Sequence, residues 1–478
     1  MQPKHLRLGG GLSQSLIHPI VLIGLLIAIV LMLLLPRKYV LVPVLLMAFL
    51  VPQWQQFVIG GAHIFAFRII IVAGWIRVLF ARLSFAPTRL AGRFDTVDKT
   101  FLLWACGHAV VFVLQYQNMA AVMNQAAGLL DMLGGYFLWR HLIQDDEDVE
   151  RCLKVLVVIA AIVSGFMLNE HFTQLNYFGL LGVRPSLHSE VRGGVVRAQG
   201  PFAHALLAGT FGSTLLPLFV WLWKAGKSKG FAAVGLICSA IMPLLTMTST
   251  AVLTYTAGVV GILCWPFRGY LRFIRWGLAV ALVGLHIVMQ APVWYLISKI
   301  DLTGNSSSWH RAFIIDSFIQ HFFDWWLIGV NESVDWGWST WDTANQYVEE
   351  GKIGGLLALV CFIALILLTL QKLGKARKIV EGSGKREWYV WLLGVALFTH
   401  IVAFFGISYF DQTRVLWYAF LAMIAAATGP ILTEITTETR LLATGARSSL
   451  RPPLPQIKSR KVGKATASIS SAGSLGTH

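Results

Sequence analysis

Charged residues are scarce in this chain, at 13% against 56% hydrophobic. A soluble domain carries about 25% charged residues, so the sequence lacks the polar surface that would cover a water-soluble fold. Acids are scarcer still, 23 against 39 lysines and arginines, for a net charge of +16. That excess forms no nucleic-acid-binding stripe. The bases stand in short clusters between apolar runs, which is the positive-inside pattern of a membrane protein. Cysteine is equally sparse. Cys106, Cys152, Cys238, Cys264 and Cys361 lie in or beside apolar runs with no close pair, which excludes a disulfide framework and a zinc site. No repeat recurs at a period of roughly 20–50 residues, so a solenoid is excluded as well.

What the chain has in abundance is long apolar runs, and the mean hydropathy is +0.66. A spanning helix needs about 20 such residues. Runs occupy approximately 18–35, 39–56, 61–80, 100–116, 121–140, 152–169, 203–223, 231–247, 249–267, 275–297, 353–371, 388–408 and 413–432. The first two are short and separated only by Pro36-Arg37-Lys38. The expected fold is therefore an all-α polytopic transmembrane bundle of 12–13 helices, because backbone in lipid must satisfy itself within helices. Lys4 and Arg7 precede the first run as in a signal peptide. The run Ile17–Leu35 is too long for that and lacks a cleavage site, so it reads as an uncleaved helix.

The loops set the orientation. Lys224, Lys227 and Lys229 form one basic cluster, Arg268, Arg272 and Arg275 a second, and Lys372, Lys375, Arg377, Lys378, Lys385 and Arg386 a third. All three belong on the cytoplasmic side. Opposite them, residues 300–350 hold eight acids, Glu350 among them, and one base, Arg311. Residues 1–440 thus read as a transmembrane domain with external loops at about 170–202 and 298–352, and 441–478 as a disordered basic cytoplasmic tail. Asp145-Asp146-Glu147-Asp148 falls on the cytoplasmic side despite its acids. The side of Lys4 and Arg7 depends on whether twelve or thirteen helices cross.

The external loops hold the candidate chemistry. Ile314, Phe318 and Phe322 recur at helical spacing, with Asp316, Gln320 and Asp324 on another side. This predicts an interfacial helix with His310 and Arg311 at its start. Arg184, Arg192 and Arg197 occupy the other loop. External arginines either snorkel structurally or hold an anionic group, since guanidinium matches phosphate oxygens. Charges within or at the ends of spans are costly, which makes Arg68, Glu170 and Asp411 candidates. His18, His108, His286 and His400 are isolated in apolar runs and read as packed.

The order of motifs then resembles a known family. One loop ends Arg197-Ala198-Gln199-Gly200-Pro201-Phe202-Ala203-His204 and enters a helix. A long loop carries His310-Arg311, then Trp325-Trp326-Leu327-Ile328-Gly329, and closes with Asp342-Thr343-Ala344-Asn345-Gln346 through Glu349-Glu350-Gly351-Lys352-Ile353-Gly354-Gly355. Over about 160–410 this resembles the bacterial O-antigen ligase and polymerase family, which includes exopolysaccharide polymerases. The resemblance implies a C-type glycosyltransferase-like fold at the outer face of the inner membrane. It implies an undecaprenyl-diphosphate-linked oligosaccharide as substrate, membrane lipid around it, a chain-length regulator as candidate partner, and no metal or other cofactor. Arg197 and Arg311 match the diphosphate-holding positions. His310, Asp342 and Asn345 are the catalytic candidates, and Glu170, Arg192, His204 and Asp411 the candidate substrate contacts. The family's usual His before Asn is here Ala344, and its Ser-Arg helix opening is here Ser249-Thr250-Ala251. Both departures favour a polysaccharide polymerase over a ligase acting on a lipid or protein acceptor. A transporter or flippase is the third reading, disfavoured by the missing repeat.

Overall fold

The computed structural model describes residues 14–60, 62–83, 90–182, 184–225, 228–299, 308–331, 333–337, 339–340 and 343–449, with side chains through 433. The expected apolar runs all contain helix. In chain order the helices are α1 (Pro19–Leu34), α2 (Arg37–Leu50), α3 (Ala66–Leu83), α4 (Thr96–Tyr116), α5 (Met119–Leu129), α6 (Gly135–Leu142) and α7 (Asp146–Thr173). They continue with α8 (Ala205–Ala225), α9 (Lys229–Leu245), α10 (Ser249–Leu263), α11 (Leu271–Val288), α12 (Ser308–Gln320), α13 (Phe322–Trp325), α14 (Gln346–Ile379), α15 (Lys385–Phe404) and α16 (Asp411–Ser449). Two hairpins interrupt them, β1 (Gln56–Ile59) with β2 (Ala62–Phe65), and β3 (Glu190–Arg192) with β4 (Val195–Arg197). The architecture is that of an all-α polytopic membrane protein. Seven helical segments among the described residues are long and apolar enough to cross a membrane. Shorter apolar helices, α1, α9 and α10, accompany them. The break Leu35-Pro36 keeps α1 and α2 apart, as proline's missing N–H requires.

Contacts between helix ends sort the bundle into two ends. At one, the Arg37 guanidinium donates to Asp148 (2.6 Å) and to the Leu142 carbonyl. Lys372 meets Asp95 (2.5 Å), and Arg268 meets Glu387 (2.8 Å). This end gathers the basic clusters. It also explains the acidic segment at 145–148, because Asp148, fully buried, is met by both Arg37 and Arg151. At the opposite end Leu16 pairs with Gln56, and Gln55 donates to the Leu181 carbonyl. Ala198 donates to Leu245, Gln412 to Pro201 and Asn345 to Phe405. Residue 16 therefore shares an end with the loops after α2 and α7, so α1 and α2 run antiparallel as separate legs.

Helix α16 continues to Ser449, because Arg440-Leu441-Leu442-Ala443 are strong helix formers. The compact unit ends at Thr433, and 450–478 lie outside the described residues.

Two departures from regular helix position the site. A π turn at Leu130–Gly134 separates α5 from α6, a device that re-aims side chains within a helix. Gly355, at φ 64° and ψ −168°, breaks α14 into a short first part and a long second part. Only glycine tolerates that conformation. A Cβ there would stand 2.7 Å from the Leu327 carbonyl oxygen, so the loop before it is pressed against the break.

Candidate functional site

The short first part of α14 is where the motif residues do their work. Asn345 caps it. Its Oδ1 accepts the backbone N–H groups of Tyr347 (2.9 Å) and Val348 (3.2 Å), while its Nδ2 reaches the Phe405 carbonyl. That is the ordinary role of Asn at a helix start. One face of the segment packs on α12. Val348, Ile314, Phe318, Trp325 and Trp336 form one cluster, and Gly351 lets the Phe318 ring come within 2.4 Å of where a Cβ would be. The stripe expected on 309–327 is therefore real but faces α14. It stops at Gln320, where the chain turns into α13. His310 and Arg311 sit at its start, both buried. Arg311 precedes Ile314 and Phe318 by three and seven positions, so it lies on the same inward stripe.

Gln346 and Glu350, one turn apart, share the other face. Glu350 is 3% exposed. Its Oε2 accepts the Trp104 indole N–H (2.7 Å) from the middle of α4, and its Oε1 accepts the Gln346 amide (2.7 Å). The Gln346 Oε1 in turn accepts the Tyr409 backbone N–H. The Tyr409 hydroxyl reaches His400 (2.8 Å), whose ring packs on Phe420. Beside this chain lies a cavity of about 30 Å³. Trp104, His108, Gln346, Glu350, Tyr409 and Arg414 supply its polar lining, and aromatic side chains complete it. On that measure about two waters fit.

Arg414 is the cation of the cavity. It donates to the Tyr409 carbonyl (3.2 Å) and stays accessible although its neighbours are buried. No described carboxylate is within ion-pair distance of it. Glu350 and Asp131 are its electrostatic neighbours, with Asp411 one turn away. Asp131 is already held by a two-pronged contact from Arg68 (2.9 and 2.8 Å). Three buried polar atoms on cavity residues, His108 Nδ1, Trp417 Nε1 and Tyr418 Oη, have no hydrogen-bond partner among the described residues. Such atoms mark a place that water or a ligand hydroxyl completes.

The other expected residues that are described lie at the same end of the bundle. Arg197 on β4 stands opposite Glu190 on β3 and donates to it (2.9 Å). Gly193 and Gly194, both at positive φ, make the tight turn between the strands. Glu170 is buried at the end of α7. Its carboxylate accepts the amides of Gln199 (3.0 Å) and Gly200 (2.8 Å) and the Ser189 hydroxyl. It therefore fixes the turn that follows Arg197. Arg192 is exposed, and His204 lies edge-on to Phe410. Asp411 opens α16 with φ 48°. Asp342 lies outside the described residues.

Sequence reasoning missed Arg414, Glu350 and His108 as members of one site. Arg414 had a signal, because it is a base inside the apolar run 413–432. Glu350 was hidden by its company, as one acid among eight in an apparently soluble loop. No family model matches the chain, and no curated protein matches it in sequence.

Proposed function

We propose that this protein is a polysaccharide polymerase. It joins undecaprenyl-diphosphate-linked repeat units at the outer face of a bacterial inner membrane, in exopolysaccharide or O-antigen synthesis. An acceptor hydroxyl attacks the anomeric carbon of the lipid-linked glycan, and undecaprenyl diphosphate leaves. The observation that carries the reading is the set of arginines at one end of a membrane bundle. Arg311 is buried on the helix docked to α14, Arg197 has a half-exposed carboxylate as its ion-pair partner among the described residues, and Arg414 is accessible beside an aromatic cavity. Guanidinium groups held in a water-poor place stabilise a developing diphosphate charge far better than in water. The surface pair Arg197–Glu190 is weak enough, at about 0–1 kcal/mol, for a diphosphate to displace Glu190.

Arg197→Ala and Arg311→Ala each abolish high-molecular-weight polymer while the protein inserts normally. Polymer of wild-type length in both variants would sink the assignment. A deletion strain separates the related readings. Single unpolymerised repeat units mark a polymerase, and long lipid-linked chains mark a ligase that transfers finished glycan. Transport of lipid-linked repeat without bond formation by the purified protein would mark a flippase.

A further inference from the structure

We propose that Glu350 is the catalytic base of this transfer, taking the proton of the acceptor hydroxyl within the cavity it shares with Arg414. The inference rests on the glycan-transfer reading above. The attack needs a proton acceptor within hydrogen-bond reach of the incoming hydroxyl. Asn345 does not supply one, since its side-chain oxygen is committed to the helix cap. Glu350 does. Each of its oxygens accepts one hydrogen bond, from Trp104 and from Gln346, and each keeps a second lone pair. Those two donors come from α4 and α14, so the carboxylate is held from two sides before any ligand arrives.

The bland reading is a buried structural carboxylate. Three observations count against it. Glu350, although held by Trp104 and Gln346, also borders a cavity. That cavity is lined by residues with uncompleted polar atoms, His108 Nδ1, Trp417 Nε1 and Tyr418 Oη. It also holds an accessible guanidinium. The space, about 30 Å³, admits a hydroxyl group or about two waters and not a sugar ring. The acceptor therefore presents its hydroxyl from the cavity mouth, where Arg414 is reached.

The step balances. The acceptor O–H bond breaks and its proton goes to Glu350. The acceptor oxygen forms a bond to the anomeric carbon. The bond from that carbon to the phosphate oxygen breaks, and its electron pair leaves with the diphosphate. Arg414 faces Glu350 and offsets the negative charge on either side of the transfer.

The test uses the purified full chain with lipid-diphosphate-linked repeat units as both donor and acceptor. Glu350→Gln keeps an oxygen for the Trp104 N–H but loses the base. It should lower kcat by about 10²- to 10⁴-fold with KM for both substrates unchanged in protein that still inserts and folds. Glu350→Asp, a shorter carboxylate, should recover part of that loss. Wild-type kcat in Glu350→Gln overturns the inference. So does equal inactivity of both variants with lowered melting, which marks a structural role. If Glu350→Gln does not insert, Glu350→Asp decides, and wild-type kcat in it overturns the proposal. Transfer by wild type and Glu350→Gln alike leaves the glycan-transfer reading standing. No transfer by wild type removes both.

Discussion

The Trp104 indole N–H donates to the Glu350 carboxylate across 2.7 Å, joining residues 246 positions apart in sequence. The bond ties mid-α4 to the short first part of α14 and closes one wall of the cavity. Trp104→Phe keeps an aromatic ring against Phe101 and Phe362 and deletes the donor, at the cost of a smaller ring. A hydrogen bond to a charged group contributes roughly 1.5–3 kcal/mol. The variant should therefore melt at a lower temperature in detergent than wild type. Equal melting of Trp104→Phe and wild type would show that the bond adds nothing.

The break at Gly355 makes a second prediction. Its φ of 64° with ψ of −168° is open to glycine alone, and a Cβ would stand 2.7 Å from the Leu327 carbonyl oxygen. Gly329 has the same problem, with φ 70° and a Cβ position 2.3 Å from the Lys352 carbonyl. Both contacts are to backbone, which cannot swing aside. Gly355→Ala and Gly329→Ala should each destabilise by about 1–3 kcal/mol from strain alone. Gly374→Ala, in the second part of α14 with open space around it, should be neutral or better. Thermal melting of the three variants side by side checks this.

Much of the frame was legible and the centre was not, for a physical reason. Apolar length reports what each residue faces in lipid, so the helices could be read directly. The lone problem, Asp145 to Asp148, yields to Arg37 and Arg151, which are distant or misleadingly basic in sequence. The stripe Ile314–Phe318 was read correctly as a helix face. What it faces, Val348 and Gly351, depends on the Gly355 break, which no periodicity announces. Asn345 and Glu170 were singled out as chemical candidates, and both hold backbone amides. The cavity needs α4, α14, α15 and α16 together, and single-residue signals carry no information on that meeting.

The pair Asp95–Lys372 gives a pH prediction at the opposite end. Burial pushes the Asp95 carboxyl up. The Lys372 charge and its hydrogen bond outweigh that, and the net shift is below the ordinary value of 3.8. The folded value is thus depressed. Its stabilising share is present above the ordinary value and is lost as pH falls through the lower folded value. Asp95 also caps α4 through Val97 and Asp98. Asp95→Asn preserves a good cap while removing the charge. The variant should be less stable than wild type at neutral pH, and the gap should narrow as pH falls below 3.8. A gap constant with pH would assign the loss to the cap.

Arg414 carries the last prediction. Two of its neighbouring carboxylates are engaged elsewhere, Asp131 by Arg68 and Glu350 by Trp104 and Gln346, and the third, Asp411, stands one turn away. The guanidinium lines the cavity with no carboxylate at ion-pair distance among the described residues, and under the proposed function the diphosphate leaving group is its counter-charge. Arg414→Gln keeps the hydrogen bond to Tyr409 within reach but drops the charge. Loss of one preorganised electrostatic contact costs about 10²- to 10³-fold in kcat. Arg414→Lys should restore part of it, as a point charge without the planar fork. Inorganic diphosphate added to the transfer assay should inhibit wild type more strongly than Arg414→Gln, because the anion then competes for a charge the variant lacks. Equal inhibition with unchanged kcat would mean that Arg414 only braces the start of α16 through the Tyr409 carbonyl.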